Sequence, residues 1–136
     1  MGTTVETVLP LGEGQAKSDR VAIINNPLKG SFVADDTDNH DYPVASIGKG
    51  RMTVALDNQA NQDATVTIYG MHDDAGTVGD IGTFLIGSFT VTALNDKGYE
   101  VINDPFPFYL IRVAYGVTPT DDPKKTTTVY MDLFAF

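Results

Sequence analysis

The groups in this chain with most capacity for chemistry are carboxylates. Asp35, Asp36, Asp38 and Asp41 stand close together, with Asn39 among them. Hard cations such as calcium take several oxygen ligands at short spacing, so these four aspartates are candidate metal ligands. The ligand order of an EF-hand and its sixth-position glycine are missing, and a solvated turn explains the same composition. His72-Asp73-Asp74 is the other acidic group, and His40 and His72 are the two histidines. Those two can share a metal only if the fold brings them together. A nucleophilic serine sits in a strained turn between glycines. Ser46 has Val44 where that turn wants glycine, and Ser88 follows Gly87 without a second glycine downstream. Gly48-Lys49-Gly50 lacks the upstream glycine and the following Ser or Thr of a phosphate loop. There is no cysteine, which removes thiolate catalysis, disulfides and Cys-ligated metals. Among 18 Asp and Glu, no spacing singles out a pair for sugar hydrolysis. The expectation is a chain that is not an enzyme and needs no cofactor.

Net charge is −9 and the pI is about 4.3. Such a surface is repelled by nucleic-acid backbones and anionic membranes, so neither is an expected partner. Hydrophobic residues make up 42% and charged residues 20% of the 136, enough for one domain with a real core. The first twenty residues lack the charged start and continuous apolar run of a secretory leader. No apolar run reaches transmembrane length. The expectation is a soluble chain.

The elements that must position any site are strands. In Arg51–Gly70, Met52, Val54 and Leu56 alternate with Thr53 and Ala55, and Val66 and Ile68 alternate with Thr65, Thr67 and Tyr69. Period-2 alternation sends one set of side chains to a buried face. With the polar connection between them, the two runs read as a central hairpin. Val21–Asn25 and Ser31–Ala34 read as short strands, Asp35–Pro43 as a loop, and Val44–Ile47 as an edge strand. Thr83–Ala93 is a strand broken at Gly87, where a glycine marks a bulge or bend. Asn95-Asp96-Lys97-Gly98 reads as a turn before Tyr99–Ile102. Phe108–Tyr115 and Thr126–Phe136 are the last two strands. No stretch holds a 3.6-residue period. The fold expected is all-β, an antiparallel β-sandwich or jelly-roll-like single domain over 21–136. Residues 1–20 form an extended N-terminal arm, interrupted by Pro10, Gly12 and Gly14. The core expected is Val21, Ile23, Met52, Val54, Leu56, Val66, Ile68, Phe89, Val91, Ile111, Val113, Val129, Met131 and Leu133.

The last strand is apolar on both faces. Val129, Met131, Leu133 and Ala135 share one, and Tyr130, Asp132, Phe134 and Phe136 the other. A sheet face that meets water carries polar residues, so part of the second face is expected to be covered by the arm or by another subunit. Val5, Val8, Leu9 and Leu11 in the arm, with Tyr130, Phe134 and Phe136, are the expected assembly interface. An aromatic platform for a carbohydrate is the alternative, although Trp, which has the largest stacking face, is absent.

VAIINN, MTVALDNQANQDATVTIYG, FYLIRVAYG and TTTVYMDLFAF together resemble small β-sandwich structural proteins of tailed-phage virions, of the capsid decoration (cement) or head-fibre-base type. The resemblance spans roughly Val21 to Phe136 and is one of strand texture. It implies a non-catalytic virion structural protein, made in the host cytoplasm and seated on the outer surface of a phage shell. It further implies the major capsid protein or another virion protein as partner, and a homo-oligomer, with a trimer favoured. No recognisable capsid-anchoring sequence is present. The competing class is a carbohydrate- or receptor-binding β-sandwich such as an adhesin or tail-associated module. An enzyme on a jelly-roll scaffold has least support, since cupin-type sites need clustered histidines.

Overall fold

Alternating hydrophobicity becomes strand wherever it is sustained. The computed structural model describes residues 2–5, 9–10, 28–46, 48–72 and 82–134. These comprise β1 (Thr3–Val5), β2 (Leu9–Pro10), β3 (Leu28–Val33), β4 (Asn39–Ala45), β5 (Arg51–Asn58), β6 (Ala64–Met71), β7 (Thr83–Val91), β8 (Asn95–Ile102), β9 (Phe108–Tyr115) and β10 (Thr126–Phe134). Among the described residues there is no helix. One sheet has the order β1-β4-β9-β6-β7 and the other β2-β3-β10-β5-β8. Each is named below for its central strand. β3 pairs with β10, β4 with β9, β5 with β8 and β6 with β7, all antiparallel. The chain is thus one long hairpin folded across two sheets, the pairing of a jelly roll. The expected all-β sandwich is the fold observed.

The core lies between the sheets. Met52, Val54, Leu56, Val66, Ile68, Val91, Ile111, Val113, Val129, Met131 and Leu133 are buried there, and Phe89 is half-buried against them. Val21 and Ile23, with the strand expected at Val21–Asn25, lie outside the described residues. Tyr42, Tyr109 and Tyr115 are fully buried, core residues that alternation alone did not single out.

Three local expectations are corrected. First, β5 and β6 are not a hairpin: they belong to opposite sheets, and the connection at 59–63 arches over the core. The arch is held by Asn58, which is fully buried. Its Nδ2 donates to the carbonyls of Gln62 at 2.8 Å, Val91 at 3.1 Å and Thr92 at 3.2 Å. Its Oδ1 accepts from Ala60 N–H at 3.1 Å and from Tyr115 O–H at 2.8 Å. Tyr115 also shares a hydrogen bond with Thr127 Oγ1, and burial pushes its phenol above the ordinary tyrosine range. A polar group buried this deeply is tolerated because every capacity is met. Second, the expected loop Asp35–Pro43 turns into β4 at Asn39. Pro43 lies beyond Asp41, the last residue of β4 that pairs with β1 among the described residues, and a strand position that gives no N–H to a ladder accepts proline. Third, Asn95–Gly98 is strand rather than turn and pairs with β5.

Gly98 has a packing reason to lie in β8. A Cβ built on it would come within 2.2 Å of Val91 Cγ2, and one on Gly87 within 2.7 Å of Ile102 Cδ1. Two glycines on the edge strands β7 and β8 therefore receive each other's neighbours, and the two sheets close along that edge. The pairing of β6 with β7 shifts register between Ile68 and Tyr69, beside Gly87, the irregularity that a mid-strand glycine predicts.

The described parts of the expected arm pair with the chain's own sheets. β1 runs parallel to β4, and β2 antiparallel to β3. An arm ordered only by a neighbour does not describe residues 3–5 and 9–10, because open sheet edges satisfy their backbone within the chain.

Candidate functional site

Because β10 and β5 are central in their sheet and β8 is its edge, residues facing away from the core line up across three strands. The register sets Tyr130 beside Ala55 and Ala55 beside Tyr99. One step along, Asp132, Thr53 and Val101 form a row, and Phe134 lies beside Arg51. Tyr99 is 68% exposed, Val101 43%, Phe134 40% and Tyr130 38%. Neighbouring strands lie about 4.8 Å apart, so Tyr99 and Tyr130 rise roughly 10 Å from one another with the short Ala55 between them. The result is a shallow trough with aromatic walls. Asp132 lies in this apolar setting, and burial raises its carboxyl above the usual range. Lys29 flanks Tyr130 on the far side, and Arg51 donates from Nε to Asn103 Oδ1 at 3.0 Å. The face thus mixes aromatic and aliphatic side chains with Asp132 and Thr53 between them, and Lys29 and Arg51 stand at its margins.

Of the residues expected at an assembly interface, Tyr130 and Phe134 fall on this face. Val5 is exposed on β1, an edge strand of the other sheet, and is not brought together with them. Leu9 is in β2 at the edge of the same sheet as β10. Val8, Leu11 and Phe136 lie outside the described residues. Tyr99 and Val101, which are not among the residues expected from sequence, belong to the patch as well. Their outward alternation against Ile102 and Gly98 was the available signal, obscured by the turn-like residues just before.

The aspartates that could have held a cation are engaged separately. Asp35 Oδ2 accepts from Lys124 Nζ at 2.9 Å. Asp36 Oδ1 lies 3.0 Å from His40 Nε2 and accepts from Asp38 N–H at 3.2 Å. Asp38 Oδ1 accepts from Gly2 N–H at 2.8 Å. Asp41, buried, takes a two-pronged bond from Arg112, Nε to Oδ1 at 2.7 Å and Nη2 to Oδ2 at 2.8 Å. That pairing lifts the Arg112 guanidinium above its ordinary range. Among the described residues no three ligating side chains converge on a metal-sized space. The two histidines are held apart along β9. His40 lies opposite Val113 and stacks on Phe32 at 3.8 Å, while His72 follows Met71, opposite Phe108.

No family model and no curated protein matches this sequence. Several solved structures share its architecture. One is Aeromonas hydrophila PliG, a periplasmic lysozyme inhibitor of g-type lysozyme, at 17% identity, 98% coverage of both chains and a TM-score of 0.54. Another is the Yersinia pseudotuberculosis-derived mitogen, at 10% identity, covering 81% of this chain and 87% of that one, with a TM-score of 0.56. A third is the PBSX exported protein XepA, at 11% identity and a TM-score of 0.57. That match covers 78% of this chain and 35% of XepA. At these identities the likeness is one of fold, and it places the chain among two-sheet β-sandwich proteins.

Proposed function

We propose that this protein is a non-catalytic assembly module that docks through the outer face of the β10 sheet. The partner proposed is the outer surface of a phage shell, on which the chain acts as a decoration or stabilising protein, as a homo-oligomer with a trimer favoured. The observation that carries the reading is the in-register exposure of Tyr99 and Val101 on β8 and of Tyr130 and Phe134 on β10, the two strands that flank β5. An exposed face of aromatic and aliphatic side chains with charged groups among and beside them suits a macromolecular surface. The resemblance of the strand sequences to virion structural proteins supports the choice of partner, and the two-sheet fold shared with the PBSX exported protein XepA agrees with it. A net charge of −9 opposes clustering at low salt, so apolar contact has to supply the attraction.

The test is the double variant Tyr130→Ser, Phe134→Ser, assayed for copy number on purified particles, or for oligomeric mass where no particle is known. The expected result is a folded protein with occupancy lost. Unchanged occupancy by a folded variant overturns the reading. The trough between Tyr99 and Tyr130 favours a second reading, a glycan- or receptor-binding module. A glycan array positive for the parent and negative for Tyr99→Ala, without particle association, would establish it in place of the first.

A further inference from the structure

The trough on the docking face has charge at both of its ends. Its floor is Ala55, with Tyr130 beside it on β10 and Tyr99 beside it on β8. Val54, Leu56 and Asn58 are buried, so the outward positions next to Ala55 along β5 are Thr53 and Asp57. Thr53 lies opposite Asp132, and Asp57 opposite Thr128. Asp57 is thus two residues from Ala55 on the same strand, about 7 Å away. Asp132 is its diagonal neighbour on β10, about 7–8 Å away in the other direction. A group resting on Ala55 has a tyrosine on either side and a carboxylate toward either end.

Neither carboxylate is answered by a cation within the described residues. Asp57 Oδ1 accepts from the neutral Gln59 Nε2 at 2.6 Å. Asp132 makes no side-chain hydrogen bond, and neither aspartate enters an ion pair. Of the nearby bases, Lys29 stands on the far side of Tyr130 and Arg51 is turned to Asn103. Burial already holds the Asp132 carboxyl above the usual range. Covering it with a neutral surface would strip more water from it without return, whereas a cation placed over it offsets that cost. The tyrosines favour the same occupant. The strand spacing sets Ala55 about 5 Å from either tyrosine row, inside the roughly 6 Å over which a ring attracts a cation. We propose that the trough is a socket for a basic side chain, a lysine or arginine of the partner protein seated over Ala55 between Tyr99 and Tyr130, its charge met by Asp132 and Asp57. The inference rests on the docking face described above and adds the chemistry of the partner's anchor. A net charge of −9 matches this face to a basic patch on another protein better than to a second copy of the same chain.

The experiment titrates the full chain with three blocked tripeptides, Gly-Arg-Gly, Gly-Lys-Gly and Gly-norleucine-Gly, following backbone amide shifts by NMR. The expected result is saturable shifts at 53–57, 99–101 and 130–132 with the two basic peptides, and about tenfold weaker binding of the neutral one. The double variant Asp57→Asn, Asp132→Asn should remove that preference. Removing two exposed charges elsewhere, with Asp104→Asn and Asp122→Asn, should leave it intact. Absent shifts, equal binding of basic and neutral peptides, or a preference that both double variants keep or both lose each overturn the socket. On purified particles, the Asp57→Asn, Asp132→Asn variant should lose occupancy. Occupancy kept by that variant but lost by Tyr130→Ser, Phe134→Ser overturns the socket and leaves the docking face standing. Occupancy kept by both overturns the docking face, and the socket with it.

Discussion

Asn58 shows how much one polar side chain decides. The run Met52, Val54, Leu56 places every second residue inside, and one more step places Asn58 there too. A leucine at that position would prolong the strand, whereas the amide stops it by drawing Gln62, Val91 and Thr92 to itself. Asn58→Ala leaves three carbonyls, an amide N–H and the Tyr115 hydroxyl short of a partner. Unmet buried groups cost about 1–3 kcal/mol each before relaxation and water entry. We expect a loss of about 3 kcal/mol in denaturant unfolding, with Tyr115→Phe costing about 1 kcal/mol. A loss under half a kcal/mol for Asn58→Ala would mean that the arch is held by something else.

At the scale of elements, the closed edge between β7 and β8 depends on matched small and large residues. Gly98→Ala forces a methyl group into Val91 and should cost about 1–3 kcal/mol. Val91→Ala makes room for it, so the double variant should lose less than the sum of the two single losses. Strict additivity in thermal or chemical unfolding would refute the contact. The same edge explains which parts of the fold were legible in the sequence. β5, β6, β9 and β10 were legible because each alternates over a full strand, and Gly87 correctly marked an irregularity. β8 was not, because its first residues are small and polar for tertiary reasons: Gly98 is there to receive Val91, and local composition reads that as a turn. From sequence the β5–β6 arch reads as a hairpin, because alternation fixes which side of a strand is buried but not which sheet it joins. Half of the docking face followed from the last strand alone. Tyr99 and Val101 joined it only once β8 was known to pair with β5.

For the molecule as a whole, folding must bring together strands far apart in sequence, with β6 and β7 the nearest of the nested pairs. Topologies of this kind fold slowly, because loop closure precedes the contacts that reward it. The same nesting governs how the domain responds to mechanical load. Leu28 opens β3 opposite Met131, and Val33 closes it opposite Thr126. Tension applied between residues 28 and 134 therefore peels the β3–β10 ladder open from one end, breaking its rungs in turn. Tension between residues 28 and 126 pulls the two strands past each other and loads the rungs together. The chain has no cysteine, so thiol handles introduced at either pair of sites are unique. Single-molecule stretching should find a lower rupture force for the first pair than for the second. Equal forces would show that another seam yields first. If the domain is tethered to a shell through its last strand, the direction of pull, more than its equilibrium stability, decides whether it detaches folded or unravels in place.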